Sequence, residues 1–282
     1  MKRGLVLEGG AMRGMFTAGV LDVMMERGVR YDGIIGVSAG AVFGCNYKSH
    51  QPGRVLRYNL RFCKDPRYCS LRSFLKTGNL YGTEFCYRTI PDQLDVFDAE
   101  TYRKDPMDFY VVAADVETGM AVYHNCLDGG AEDLQWIRAS ASMPLAAQPV
   151  EIQGRRYLDG GMADSIPLRQ AEKLGFAKNV VVLTQPMGFV KQRNRAMPMM
   201  RAALRRYPKL LETMAHRHEA YNETIAYLRQ RERQGEIFVI RPEVPLEIGK
   251  VEHDREKIQA VYDMGRAVMQ KRWQALEAFR KG

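Results

Sequence analysis

Twice near its start the chain carries a short aliphatic run that passes through glycines straight into a helical pattern. Leu5-Val6-Leu7 leads into Glu8-Gly9-Gly10-Ala11-Met12-Arg13-Gly14, and Ile34-Ile35 leads into Gly36-Val37-Ser38-Ala39-Gly40. Strands that turn at glycine into helices belong in a sheet whose connections cover it. The rest of the chain keeps the alternation. Strands are predicted over residues 4–8, 32–37, 109–116, 120–125, 179–184 and 236–241, with a hairpin of 150–152 and 155–158 around Gly154. Helices are predicted over 14–27, stopped by Gly28, and over 39–47, 134–140, 168–174, 208–233 and 254–279. The expected fold class is α/β, a central, mostly parallel sheet sandwiched between helices. No repeat or Gly/Ser linker interrupts the chain, and the strand-like Ile237-Phe238-Val239-Ile240 returns the tail to the sheet. One domain, 1–282, is therefore expected. Within it, residues 51–105, broken by Pro52, Pro66 and Pro91, are read as a cap, and 191–282 as a basic, mainly helical C-terminal part.

With 46% apolar and 27% charged residues, the chain is not disordered, collagenous or a coiled coil. No apolar stretch approaches the roughly 20 residues of a membrane-spanning helix, and Leu5-Val6-Leu7 is too short for a secretory signal. A soluble, cytoplasmic protein is expected. Five scattered cysteines (Cys45, Cys63, Cys69, Cys86, Cys126) lack CxxC spacing and a nearby histidine pattern, so they are read as small buried hydrophobes. Neither a metal nor a cofactor is expected.

The net charge of +9 is unevenly placed: residues 191–282 hold 20 basic and 12 acidic side chains and so carry +8 of it. Between Lys191 and Leu211 there are seven basic residues and no acid. Met200, Leu204, Tyr207 and Leu211 fall there at helical spacing opposite Arg201, Arg205 and Lys209, which predicts a basic amphipathic face for an anionic membrane surface. A second basic stretch runs through Arg54, Arg57, Arg61, Lys64, Arg67, Arg72 and Lys76. Nucleic acid is not expected, because no recognition motif accompanies the charge. Oligomeric state is not legible.

Three segments can carry chemistry. The glycine turn at Gly9, Gly10 and Gly14 lets backbone amides approach a ligand, and the helix end behind it favours an oxyanion. It does not suit a dinucleotide, since Asp32 stands at the start of its strand instead of ending it, nor a P-loop, since no Gly-Lys-Ser/Thr follows. Gly36-Val37-Ser38-Ala39-Gly40 has the G-x-S-x-G form of a nucleophile elbow, where glycines leave room for a strained serine turn. About 0.06 accidental matches are expected at this glycine and serine content, so the motif is moderately specific. The third is Asp159-Gly160-Gly161, closing the hairpin, where a turn can aim the carboxylate inward. Serine needs a base and donors for the oxygen charged after attack on a carbonyl. Ser38 as nucleophile, Asp159 as base and the glycine turn as donor supply these parts. A triad ending in His253 competes, but Ser38 follows only one strand, and His216, His218 and His253 lie in polar helical stretches, so a Ser-Asp dyad is preferred.

Together these segments resemble the patatin-like phospholipases. The resemblance runs through Gly9-Gly10-Ala11-Met12-Arg13-Gly14, Gly19-Val20-Leu21, Gly36-Val37-Ser38-Ala39-Gly40 and Asp159-Gly160-Gly161. It also includes Ala114 to Gly119 and Ile137 to Pro144, and so spans about residues 4 to 184. It implies a three-layer α/β/α fold and a lipid acyl hydrolase with a Ser38–Asp159 dyad, needing neither histidine nor metal. Gly9, Gly10, Ala11 and Arg13 would belong to the oxyanion loop, and Gly14, Gly36, Gly40, Gly160 and Gly161 to the supporting motifs. The family's loop commonly has a third glycine where this chain has Ala11; at φ > 0 an alanine costs about 1 kcal/mol. The family also often has an asparagine near Asp164-Ser165. These departures motivate the alternative of a noncatalytic lipid- or nucleotide-binding module, while an acyltransferase would use the same dyad.

Overall fold

The computed structural model describes residues 1–281. The chain opens with β1 (Lys2–Leu7), α1 (Gly14–Glu26), β2 (Gly33–Val37) and α2 (Ala39–Lys48). Helices α3 (Arg54–Phe62) and α4 (Leu71–Thr77) follow, then a π-helical segment, Phe85–Leu94, and α5 (Ala99–Lys104). Next come β3 (Asp108–Asp115), β4 (Ala121–Asn125), α6 (Ala131–Ser140) and a hairpin of β5 (Val150–Ile152) with β6 (Arg155–Asp159). The remainder is α7 (Leu168–Lys173), β7 (Phe176–Val182), α8 (Met197–Ala203), α9 (Pro208–Arg233), β8 (Ile237–Ile240) and α10 (Arg255–Lys281).

The fold is α/β, with five parallel strands in the order β8-β7-β1-β2-β3. Strand β3 then carries two antiparallel partners. β4 lies along one edge, and on the other β6 takes over where β2 stops: Val37 pairs with Val112, and Asp159 with the next residue, Ala113. The C-terminal ends of β2 and β6 therefore meet head to head.

Side chains alternate across the sheet, as a strand requires. Leu5, Leu7, Ile34, Val111 and Val180 enter one buried core with α1, α2 and α10. Val6, Ile35, Val37, Val112 and Val181 enter another with α7 and α9. Each of these strand residues is essentially inaccessible, and burial of such side chains contributes about 1.5–3 kcal/mol apiece. A third cluster, holding Leu158, Leu204, Tyr207 and Leu210, seats α8 and the start of α9 beside β6.

The last helix is held against the first at a backbone crossing. A Cβ on Gly19 of α1 would run into the Tyr262 carbonyl, and one on Gly265 of α10 into the Phe16 carbonyl. Around the crossing, Tyr262 donates to Asp22 at 2.5 Å and Arg266 bonds Glu26 through both terminal nitrogens.

Three segments differ from the sequence expectation. Residues 199–211 do not form one helix: the chain leaves α8 at Leu204 and restarts at Pro208, with Tyr207 outside the helical region at φ −122° and ψ 67°, since a following proline disfavours the helical conformation. Leu204 and Tyr207 are buried, so the expected apolar stripe packs into the protein there. Residues 51–105 are mostly helical despite their prolines; Pro91 sits inside the π-helical segment, where a widened turn accommodates it. Strand β7 also starts earlier than expected, at Phe176, directly after the Gly175 turn.

Gly265→Ala should destabilise the protein by about 1–3 kcal/mol, the usual cost of overpacking. Urea unfolding followed by circular dichroism measures it; an unchanged midpoint would show that the crossing relaxes freely.

Candidate active site

Ser38 and Asp159 come together at the β2–β6 junction. Ser38 Oγ donates to Asp159 Oδ2 at 2.7 Å, and both residues are buried, at 7% and 3% exposure. Ser38 caps α2 with φ 55° and ψ −122°, a strained conformation that costs about 1–3 kcal/mol and persists only when its surroundings enforce it. Here they do. Its N–H donates to Ser140 Oγ at 2.8 Å, and its carbonyl accepts from Ala41 and Val42. Gly36 and Gly40 let the pieces close up: a Cβ on Gly36 would lie 2.6 Å from the Gly40 carbonyl, and one on Gly40 at 2.6 Å from that of Leu7.

Asp159 is fixed from both sides. Its Oδ1 accepts the Gly161 amide at 2.8 Å, and its own N–H donates to the Ser142 carbonyl. Gly160 lies so close to the Val112 carbonyl that no side chain fits. Burial raises the Asp159 pKa; hydrogen bonds from Ser38 and Gly161, and the Arg217 charge, oppose that rise without cancelling it. Arg217, from α9, donates to the Gly161 carbonyl and also contacts Ser165 Oγ.

The glycine turn places Gly9 against Ser38, with 3.1 Å between the position of a Gly9 Cβ and that of Ser38. The Gly9 amide donates to the Ser165 carbonyl and the Arg13 amide to the Gly10 carbonyl. Those of Gly10 and Ala11 make no hydrogen bond among the described residues. Ala11 adopts φ 49°, so the alanine carries the left-handed cost. Gly14 brings α1 against Ala39 and Phe43 of α2. Beneath the turn Glu8 is saturated: it accepts Thr184 N–H at 2.6 Å, Thr184 Oγ1 at 3.1 Å and Tyr221 OH at 2.7 Å. Asp164 accepts Tyr123 OH at 2.8 Å and the Ile166 amide, which anchors the loop after Asp-Gly-Gly without an asparagine.

A cavity of about 160 Å³ opens beside Ser38, with Ala11, Val42, Phe43, Ile90 and Met143 among its walls. Residues from α3 through the π-helical segment, including Tyr58, Tyr81 and Tyr87, form much of the remainder. Arg54 is locked in this wall by Asn46 Oδ1 and the Asp95 carbonyl.

None of the histidines hydrogen-bonds Ser38 or Asp159 among the described residues. His253 contacts the Cys63 carbonyl, His216 pairs with Glu219, and His50 with Asp105. His124, Cys126 and Asp133 do bring ligand-type atoms within 4.8 Å of one another. Within this group His124 Nε2 lies 3.6 Å from Asp133 Oδ1, while Asp133 also accepts the Asp128 and Gly129 amides and His124 stacks on Trp136. Burial pushes the Cys126 thiol up.

Sequence reasoning missed Ser140, Thr184, Arg217 and Tyr221 as supports of the site. Ser140 lay inside the noted 137–144 stretch; for Arg217, in a polar helix, there was no signal.

Two family profiles match the chain. That of the patatin-like phospholipases covers residues 5–172, and that of a domain of unknown function, DUF6363, covers 207–281. The uncharacterised protein YjjU of Escherichia coli K12 is 29% identical over 248 residues, 86% of this chain and 69% of that protein. Lysophospholipase nte1 of Aspergillus niger is 27% identical over 181 residues, 61% of this chain but 11% of that protein. The chain thus spans about a tenth of the fungal enzyme. A solved structure of VipD from Legionella pneumophila aligns over 96% of this chain and 67% of its own, at 12% identity and a TM-score of 0.43.

Carbon-13 NMR of the carboxyls should show Asp159 titrating above the ordinary aspartate range. Arg217→Gln removes a charge that favours the ionised form, so the titration should move to still higher pH; an unmoved or lowered midpoint would contradict the electrostatic assignment.

Proposed function

Since the chain belongs to the patatin-like phospholipase family, we propose that it is a lipid acyl hydrolase working through an acyl-enzyme on Ser38. The observation that carries this reading is the 2.7 Å bond between a strained serine and a buried carboxylate on the wall of an apolar cavity.

Ser38 Oγ attacks the acyl carbonyl and passes its proton to Asp159 Oδ2. A raised carboxylate pKa suits this transfer, because a base works best with its pKa close to the working pH. Negative charge moves to the carbonyl oxygen, where the free amides of Gly10 and Ala11 are the candidate donors. Gly9 and Arg13 hold that loop in shape with their own amides already engaged. One such donor is typically worth about 3 kcal/mol of barrier. Collapse breaks the ester C–O bond, and the leaving alcohol takes the proton from Asp159. Water then adds to the acyl-enzyme with Asp159 accepting its proton, and Ser38 regains a proton as the fatty acid departs. The methylenes of the acyl chain lie along Val42, Phe43 and Ile90, where they lose contact with water. No step uses histidine.

The fungal relative's lysophospholipase activity makes a lysophospholipid or other lipid ester the substrate class to try first. The features that favoured a noncatalytic module are accommodated, since Ala11 takes the left-handed conformation and Tyr123 anchors Asp164.

A fluorophosphonate reagent should label Ser38, and Ser38→Ala should lose both labelling and hydrolysis; activity retained in that variant would reject the proposal. Asp159→Asn should lower kcat by about 10² or more with the fold intact.

The acid limb of kcat/KM should follow Asp159, with activity present when its carboxylate is ionised and lost as pH falls through its raised pKa. A limb in the ordinary aspartate range would assign the base elsewhere.

A further inference from the structure

Helix α4 packs none of its residues inside the protein. Leu71 and Leu75, one turn apart, are 74% and 85% exposed. Isolated exposed leucines are ordinary, but an adjacent pair on a helix without buried residues leaves a short apolar ridge in water. Arg72 and Lys76, also one turn apart, are exposed beside it, and Lys64 is exposed just upstream; none of the three has a carboxylate partner among the described residues. The stretch from Pro66 to Thr83 contains no acidic residue.

This helix stands on the rim of the cavity that holds Ser38. It is capped by Ser70 Oγ, which accepts the Ser73 amide, and stopped by Gly78 at φ 72°. The chain then turns directly into the cavity wall. Asn79 and Tyr81 line the cavity, Leu80 N–H donates to the Ala146 carbonyl at 2.8 Å, and Asn79 Oδ1 accepts the Gln148 amide at 3.0 Å. Ser73 Oγ donates to the Asn79 carbonyl at 2.8 Å and ties the helix to that rim.

We propose that α4 is the element that seats the protein on an anionic bilayer, with Leu71 and Leu75 entering the headgroup boundary and Arg72 and Lys76 meeting lipid phosphates. Apolar side chains flanked by cations are the composition that binds such an interface, and each basic residue near an anionic surface adds attraction. The position on the rim supplies the reason for the placement. A lipid drawn partly out of the bilayer would pass from α4 into the cavity without crossing open water. This inference rests on the hydrolase reading for the purpose of the docking, but not for its measurement.

Cosedimentation of the full chain with phosphatidylcholine vesicles containing phosphatidylglycerol tests it, alongside hydrolysis of a dispersed short-chain p-nitrophenyl ester. The wild type should bind the anionic vesicles and bind pure phosphatidylcholine more weakly. Leu71→Ser with Leu75→Ser, and separately Arg72→Glu with Lys76→Glu, should each reduce vesicle binding about tenfold while short-ester hydrolysis stays within about twofold. Wild-type binding unchanged in both double variants, or absent altogether, would overturn the proposal. So would a wild-type dimer in sedimentation velocity that the serine variant dissociates, because the ridge would then be covered by a second copy. Failure of the wild type to hydrolyse the ester would reject the hydrolase reading and leave the vesicle result to stand by itself.

Discussion

The hydrogen bond from Ser38 to Asp159 joins residues 121 positions apart, and β3 is the element that makes it form. One edge of that strand is shared between two partners running in opposite directions. β2 ends opposite Val112, and β6 ends opposite Ala113. The two chain ends thus arrive at neighbouring register positions on a fixed rail, and the remaining geometry is set by the glycines that let α2 and the Asp159 turn close against it. Strain at Ser38 and left-handed backbone at Ala11 are tolerated because the strands beneath them are buried on both faces.

The C-terminal part also contributes to the electrostatics of the site. Arg217 is close enough to influence Asp159, and Tyr221 closes the hydrogen-bond set of Glu8 at the base of the glycine turn. Both residues belong to α9, which lies beyond the 5–172 stretch matched by the patatin-like profile and within the 207–281 stretch matched by the second. Helix α10 extends the same dependence by crossing α1 at Gly19 and Gly265. The second segment is therefore built into the walls that hold the first, through a half-buried cation, a shared carboxylate and a helix crossing.

Much of this was legible in the sequence wherever local chemistry decides. Strand periodicity marked the parallel strands within a few residues, and Pro208 fixed the start of α9 because proline suits a first helical turn. The same proline broke the amphipathic stripe read through residues 199–211, since helical spacing says nothing about whether the backbone is continuous. Ser38, Asp159 and their glycines stood out because tight turns restrict residue type. Ser140 and Thr184 did not. Their partners lie 102 and 176 positions away, and an ordinary serine or threonine carries no mark of a distant bond. The helices of 51–105 were obscured by prolines at or within them and by short lengths, with apolar residues divided between the cavity wall, as Tyr58, Tyr87 and Ile90 are, and solvent, as Leu71 and Leu75 are.

The rail formed by β3 also determines how errors in assembly would be felt. Side chains on a strand alternate between faces, so β6 displaced by one residue would turn Asp159 toward the opposite layer. No intermediate alignment preserves a partial bond to Ser38. On the proposed mechanism a misregistered molecule would be catalytically silent, not sluggish, and the specific activity of a refolded preparation would report the fraction of chains with correctly aligned hairpins.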